Sequence, residues 1–128
     1  MKHEGYNCFG YAVGRKKWLI MRSWRAFVRD YNDFVDYFTA KDNAVKELYQ
    51  RYGLKHVDPR SMELGKEYVA YKFGLDDFHF ALRNKQGYWR HKSGDTQAKP
   101  ISEEHVFAEE WYFYGNQYDS ETILFEKP

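Results

Sequence analysis

The stretch that decides the fold is EYVAYKFGLDDFHFALRNKQGYWRHK, residues 67–92. Its first part, 67–73, is rich in Tyr, Val and Phe, which strands favour. In 78–83 large apolar side chains alternate with smaller or polar ones, so that His79 and Ala81 share one face of a strand. A turn at 84–87 and a further strand at 88–92 complete a predicted antiparallel β-hairpin.

The length of the hairpin loop decides whether the two histidines of this stretch share a face. If Arg83 pairs with Gly87 around a three-residue loop, or Leu82 with Tyr88 around a five-residue loop, His91 lies opposite His79. Trp89 then lies opposite Ala81. A loop of two or four residues would instead place Lys92 opposite His79 and turn His91 to the other face. We predict the odd-numbered loop, which leaves Ala81 as a small residue where a helix can approach the histidine face.

Helices are predicted on the N-terminal side of the hairpin. Asn7 is a suitable N-cap for a short helix that begins at Cys8 and ends near Gly14. Apolar residues then recur at helical spacing. The further predicted elements are an amphipathic helix over 23–38 with an interruption near Asn32, a helix over 42–52 capped by Asp42 and ended by Gly53, and a last strand over 121–126. Helices followed by a mostly antiparallel sheet predict a single α+β domain, residues 1–128.

Charge is unevenly distributed along the 128 residues. The net charge is +1, but residues 1–29 hold seven Lys and Arg against one acid, Glu4, which gives +6 there. Such a segment favours an acidic peptide or partner, or is a solvated surface. No nucleic-acid-binding motif accompanies the basic residues, so nucleic acid is not expected as a partner.

No apolar run approaches the ~20 residues that a transmembrane helix needs. The residues before Cys8 also lack the apolar core of a signal peptide. We therefore expect no membrane association and synthesis in the cytoplasm, where a free thiol is stable. Export or injection by a route without a cleaved signal stays open, as does the oligomeric state.

Cys8 is the only cysteine, and it stands where a helix begins. Unpaired backbone N–H groups and the positive end of the helix dipole favour a thiolate there. A thiol nucleophile needs a base, and the base needs a polar partner that fixes its ring. His79 fits as the base and His91 as the orienting residue. The N–H of Cys8, with a donor from Tyr6 or Asn7, would bind the oxyanion.

The order of these elements resembles the papain-like cysteine hydrolases, especially the compact NlpC-type amidase branch. The matching positions are Cys8 in Asn7-Cys8-Phe9-Gly10-Tyr11-Ala12, His79 in Asp77-Phe78-His79-Phe80, and His91 in Trp89-Arg90-His91-Lys92. The same stretches are similar to small uncharacterised bacterial proteins with an Asn-Cys-x-x-Tyr-Ala start. Where that family has a small residue directly after the cysteine, this chain has the large residue Phe9.

The resemblance implies a papain-like core whose Cys8 helix packs against the sheet. It also implies hydrolysis or transfer of an amide bond through an acyl-enzyme on Cys8, without metal or organic cofactor. The substrate would be a peptide or another amide, either bacterial cell-wall peptide or a host protein.

Several readings of these residues remain open from the sequence. Asp77, which has the same parity as His79, is an alternative orienting residue, and Asp77 and Trp89 are candidate substrate contacts. Cys8, His79 and His91 are also a possible zinc ligand set, with water as the fourth ligand. A non-catalytic binding or inhibitory module on the same fold, such as a phage or effector protein, is the main alternative function.

Overall fold

The computed structural model describes residues 5–31, 36–94 and 96–128, which form an antiparallel sheet with helices. The helices are α1 (Cys8–Val13), α2 (Arg22–Asp30), α3 (Tyr37–Tyr52) and α4 (Glu103–Val106), with a 3₁₀ turn at Pro59–Ser61. The strands are β1 (Lys55–His56), β2 (Tyr68–Phe73), β3 (Phe78–Arg83), β4 (Trp89–His91), β5 (Lys99–Pro100), β6 (Trp111–Phe113), β7 (Asn116–Tyr118) and β8 (Ile123–Glu126). Within the described ranges, every helix is too short or too polar to cross a lipid bilayer.

The strands form two sheets. The larger has six antiparallel strands in the order β1-β8-β2-β3-β4-β5, and the smaller is the β6–β7 hairpin. The central strands are β8, β2 and β3, and all six residues of β2 are buried. The predicted α+β class and the predicted strands at 67–73, 78–83, 88–92 and 121–126 are confirmed.

The hairpin between β3 and β4 has the predicted parity but not the predicted partners. Ala81 pairs with His91 and Arg83 with Trp89, so the loop consists of the five residues 84–88. His91 therefore lies on the face of His79, two positions along the strand rather than directly opposite. Asn84 fixes this register: its backbone N–H donates to the Tyr88 carbonyl, and its side-chain oxygen accepts from the N–H groups of Gln86 and Tyr88.

Helices α1, α2 and α3 pack on the face of the sheet that carries Phe78 and Phe80, whereas α4 packs in the second core. The ring of Phe9 in α1 stacks on Phe80 with 4.8 Å between centroids and meets Phe78 edge-on. The expected approach of a helix to Ala81 is therefore wrong for the Cys8 helix. Large rings offer more apolar surface to a helix than the histidine face does. Ala81 lies instead in a second core, with Trp111.

The ends of α1 follow the predicted local signals. Asn7 precedes α1 in extended conformation, and its Oδ1 accepts a hydrogen bond from the N–H of Gly10 at 3.1 Å. Gly14 ends the helix with a φ of 73°, a left-handed conformation that glycine adopts without strain. Cys8 is thereby fixed as the first helical residue.

The next two helices differ from the prediction at their boundaries. Asp36, rather than Asp42, is the N-cap of α3, and its Oδ1 accepts from the N–H of Thr39 at 2.8 Å. The helix therefore begins at Tyr37, and the helix predicted over 23–38 is wrong at its C-terminal end, where residues 37 and 38 belong to α3. The interruption predicted near Asn32 lies outside the described residues.

Candidate functional site

One cavity of about 470 Å³ lies where α1 begins beside the start of β3. Cys8, Asp77 and His79 all contribute to its wall. Six aromatic residues supply much of the rest, namely Trp18, Trp24, Phe78, Phe113, Tyr114 and Tyr118. A cavity of this size, mostly apolar with a few convergent polar groups, is typical of a small-molecule or side-chain binding site.

Cys8 is held inside the protein rather than presented to solvent. Its residue surface is 5% exposed, and the hydrogen-bond contact of its sulfur is with the carbonyl oxygen of Phe78, 4.0 Å away. Among the described residues, no hydrogen bond joins Sγ to the ring of His79. The structure thus places Cys8 and His79 on one cavity wall without pairing them.

Burial raises the pKa of the Cys8 thiol to about 12, and the negative charge of Asp77 acts in the same direction. The backbone N–H groups of Phe80, Phe9 and Cys8 itself oppose this rise in pKa. The helix start therefore has the electrostatic effect that the sequence predicts, but desolvation outweighs it. At neutral pH Cys8 is a protonated thiol.

The two strand histidines form a hydrogen-bonded pair. Nε2 of His79 lies 2.9 Å from Nδ1 of His91, with the two rings nearly perpendicular. One of these nitrogens carries the shared hydrogen, which fixes a tautomer on each ring. The diagonal offset between the two residues in the β3–β4 register is what brings these particular nitrogens together.

Both rings are neutral at physiological pH. Burial lowers the pKa of His79 to about 3, with a further contribution from His91. Burial also lowers the pKa of His91 to about 4, helped by His105 and Lys99. A neutral imidazole has a free lone pair, so either ring can accept a proton.

The depressed histidine pKa values lead us to expect a protein that loses stability in mild acid. The unfolded histidines bind protons below about pH 6.5, whereas folded His79 and His91 do not until about pH 3 and 4. The free energy of unfolding should therefore fall by about 1.4 kcal/mol per pH unit per histidine in that window. Urea denaturation at several pH values measures the slope. The His79→Gln variant should have a shallower slope, and equal slopes would contradict the assignment.

The β6–β7 hairpin covers His79. The rings of Trp111, Phe113 and Tyr118 lie 5.0–5.8 Å from the imidazole, centroid to centroid. These three-residue strands are not among the elements predicted from the sequence. Their signal is a run of four aromatic residues, 111–114, followed by Gly115, which is too short to show a strand period.

The other predicted site residues have different roles. The Asn7 side chain is engaged with the backbone of Leu19 as well as with α1. Asp77 accepts from the N–H of Phe78 and the hydroxyl of Tyr118, not from His79. His91, rather than Asp77, is thus the hydrogen-bonding partner of the His79 ring.

Tyr6 and Trp89 lie outside the described cavity wall. The carbonyl of Tyr6 accepts a hydrogen bond from the ammonium of Lys92, which also lies 4.4 Å from the Tyr6 ring centroid. Trp89 belongs to the second core and donates from Nε1 to the carboxylate of Glu103 at 3.0 Å. Tyr6 and Trp89 therefore do not line the cavity.

Two buried lysines escaped the sequence analysis, because lysine is seldom found inside proteins. Lys92 donates to the carbonyls of Tyr6 and Gly94, which ties the segment before Cys8 to the end of β4. Lys72 donates to the carbonyls of Glu109 and Ser120, and burial lowers its pKa to about 8. Both lysines satisfy loop carbonyls that flank the site.

In the part of the chain that the structure describes, no three His, Cys, Asp or Glu side chains converge closely enough to hold a metal ion. Such convergence is what the zinc alternative would need.

Comparison with known proteins identifies one family. No curated protein and no solved structure matches the chain. A family model described as a domain of unknown function, DUF7689, matches residues 1–119, which is most of the chain. The protein therefore belongs to the DUF7689 family.

Proposed function

We propose that the protein is a cysteine hydrolase or acyl transferase that acts on an amide bond, on a papain-like, NlpC-type core. Cys8 is the nucleophile, His79 the base and His91 the orienting residue. The observation that carries the proposal is that Cys8, at the start of α1, and His79 line one cavity while His79 is hydrogen-bonded to His91. A nucleophile, a base and a partner for the base are the components of a thiol hydrolase site.

The resting site holds a neutral thiol beside a neutral imidazole, not a preformed ion pair. Burial raises the pKa of Cys8 and lowers that of His79, so both neutral forms dominate at pH 7. Attack therefore requires the S–H to turn from the Phe78 carbonyl toward the cavity and give its proton to His79 as the carbon–sulfur bond forms. His79 acts as a general base in that step.

The remaining steps follow from the positions of the same groups. With Nε2–H of His79 donating to Nδ1 of His91, Nδ1 of His79 accepts the thiol proton. The N–H of Cys8 at the start of α1, with a second donor from Tyr6 or Asn7, stabilises the oxyanion. Imidazolium Nδ1–H then protonates the leaving amine as the carbon–nitrogen bond breaks. Water or an acceptor amine releases the acyl group from Cys8. The mechanism needs no cofactor.

The test is the rate at which iodoacetamide alkylates Cys8, the only thiol in the chain. If His79 is the base, His79→Gln should lower the rate at pH 7 by on the order of 10²-fold or more. The control is His56→Gln, which replaces an exposed histidine on β1 and should leave the rate unchanged. Mass spectrometry of the intact protein follows the single addition.

An alkylation rate that is the same in the wild type and in His79→Gln would overturn the proposal that the protein is a hydrolase. The binding module would then be the better description. One observation already favours that second candidate, since the sulfur of Cys8 contacts a backbone carbonyl rather than the imidazole. Circular dichroism shows whether His79→Gln and His56→Gln keep the fold, so that a lower rate caused by loss of the base is distinguished from one caused by unfolding.

A further inference from the structure

The wall of the Cys8 cavity has an uneven distribution of charge. Asp77 is the only one of its described lining residues with a side chain that is charged at pH 7. Its carboxylate accepts from one backbone N–H and from the Tyr118 hydroxyl, and both donors are neutral. No Lys or Arg among the described lining residues offsets its charge. The cavity, called here the negative cavity, thus has one carboxylate and no Lys or Arg side chain on its described wall.

The second cavity nearby has the opposite character. It measures about 290 Å³, and Lys99 and His91 are among its lining residues. The buried ammonium of Lys92 lies behind the wall of the Cys8 cavity itself, where the carbonyls of Gly94 and Tyr6 accept its hydrogen bonds. The two cavities adjoin and share Tyr114, whose ring centroid lies 5.9 Å from the ammonium of Lys99.

Aromatic rings surround the negative cavity on several sides. Trp18 and Tyr114 are 55% and 68% exposed and form its rim, while Tyr118 is buried in its wall. The faces of such rings attract an organic cation, and the attraction grows where water is excluded. An aromatic enclosure with a single carboxylate is the arrangement that proteins use to bind alkylammonium groups.

The conformation of Tyr114 supports a role for this rim. Tyr114 and Gly115 form the two-residue turn between β6 and β7, and both have positive φ, 52° and 81°. A turn of this type favours Asn or Gly at its first position, and a bulky residue there is strained. Tyr114 nevertheless occupies it and projects an exposed ring beside the cavity.

We infer that the cavity binds an alkylammonium group, held by the Asp77 carboxylate and the rings of Trp18, Tyr114 and Tyr118. The binding of this group is independent of the proposed function. Only its identification as part of the substrate rests on that proposal. The substrate would then be an amide with a lysine-like or quaternary ammonium group near the bond that is cleaved. An acidic peptide, by contrast, would be repelled from this cavity.

Binding of a cation would also activate the nucleophile. The charge of Asp77 is one of the causes that raise the pKa of Cys8. A bound ammonium offsets that charge and so makes the thiol easier to ionise. The correct substrate would thereby help to form the thiolate that attacks it.

The experiment uses three methanethiosulfonates that differ in charge, with trimethylammonioethyl, hydroxyethyl and sulfonatoethyl groups. Each transfers its thioalkyl group to the Cys8 thiolate, forming a disulfide and releasing methanesulfinate, while the thiol proton passes to the base or to solvent. Each rate is divided by the rate of the same reagent with 2-mercaptoethanol. We expect the normalised rate to be roughly tenfold higher for the cation than for the neutral reagent, and lowest for the anion.

Asp77→Asn should abolish the preference for the cation, so that the normalised rates of the cationic and the neutral reagent become equal. The matched control is Asp76→Asn, because Asp76 is exposed and outside the described cavity wall. It should keep the preference. Trp18→Leu, a change at the exposed rim, should weaken the preference severalfold without any change in charge. It also serves if Asp77→Asn does not fold.

Two results would overturn the inference. One is equal normalised rates for the three reagents, and the other is an unchanged preference in both Asp77→Asn and Trp18→Leu. The outcome is separable from that of the proposed function. If the rates depend on reagent charge but the rate of the neutral reagent is the same in the wild type and in His79→Gln, the cavity binds cations and the hydrolase proposal is wrong. If the rate depends on His79 but not on reagent charge, the hydrolase proposal stands and the proposed substrate class is wrong.

Discussion

Replacing Phe9 by Ala is expected to lower the free energy of unfolding by about 3–5 kcal/mol. The Phe9 ring is fully buried, stacks on Phe80 and meets Tyr52 edge-on with 5.5 Å between centroids. The guanidinium of Arg51 lies over the same ring at 5.2 Å. The substitution leaves a cavity between α1 and the sheet that neither can close. Urea denaturation followed by tryptophan fluorescence measures the loss.

Phe38→Ala is the matched control, since Phe38 is 75% exposed and its truncation should change stability by no more than about 0.5 kcal/mol. A loss below about 1 kcal/mol for Phe9→Ala would contradict the packing. The position of Phe9 also answers a question raised by the family resemblance. The large residue after the cysteine points into the core and is absent from the described cavity wall, so it does not fill the substrate site.

Gly10→Ala should destabilise the protein by about 3 kcal/mol, although the same change normally stabilises a helix by about 1 kcal/mol. A Cβ at this position would lie 2.2 Å from the carbonyl oxygen of Lys17 and 2.6 Å from that of Arg15. The segment that carries both oxygens is held against α1, because the Arg15 N–H donates to the Gly10 carbonyl and the Lys17 N–H to the Arg15 carbonyl. Denaturation in urea tests the sign as well as the size.

Gly5→Ala provides the comparison for this second substitution. A Cβ on Gly5 meets no atom within 4 Å, so stability should stay within about 0.5 kcal/mol. A gain in stability for Gly10→Ala would show that the loop after α1 does not approach the helix as described. The same loop leads to Trp18, so the substitution should also disturb the rim of the cavity.

Local signals in the sequence were sufficient for the elements that carry Cys8, His79 and His91. Asn7 and Gly14 bound α1 by side-chain capping and left-handed φ, which depend on neighbours a few residues away. Alternation along β3 and the parity of its loop placed both histidines on one face. These features follow from the geometry of a few consecutive residues and need no tertiary information.

The contacts that define the site depend on residues far apart in sequence, which patterns along the chain do not specify. The choice of the Phe78–Phe80 face for the helices is settled by the packing of Phe9, seventy residues away. The contact of the Cys8 sulfur with the Phe78 carbonyl likewise joins residues that are far apart in the sequence. Asp36 displaced Asp42 as the cap of α3, because two capping residues of similar strength compete and packing decides between them.

The β6–β7 hairpin forms a sheet of its own and is not hydrogen-bonded into the six-stranded sheet that carries His79 and His91. The hairpin contributes Phe113, Tyr114 and Tyr118 to the cavity, whereas Cys8 comes from α1. In the proposed function the hairpin supplies part of the ligand-binding wall, while Asp77, Trp18 and the reactive groups come from other elements. We expect changes in the hairpin to alter which ligands bind while the elements that hold the cysteine and histidines stay as they are. Exchange of the hairpin between relatives is thus a natural route to altered selectivity.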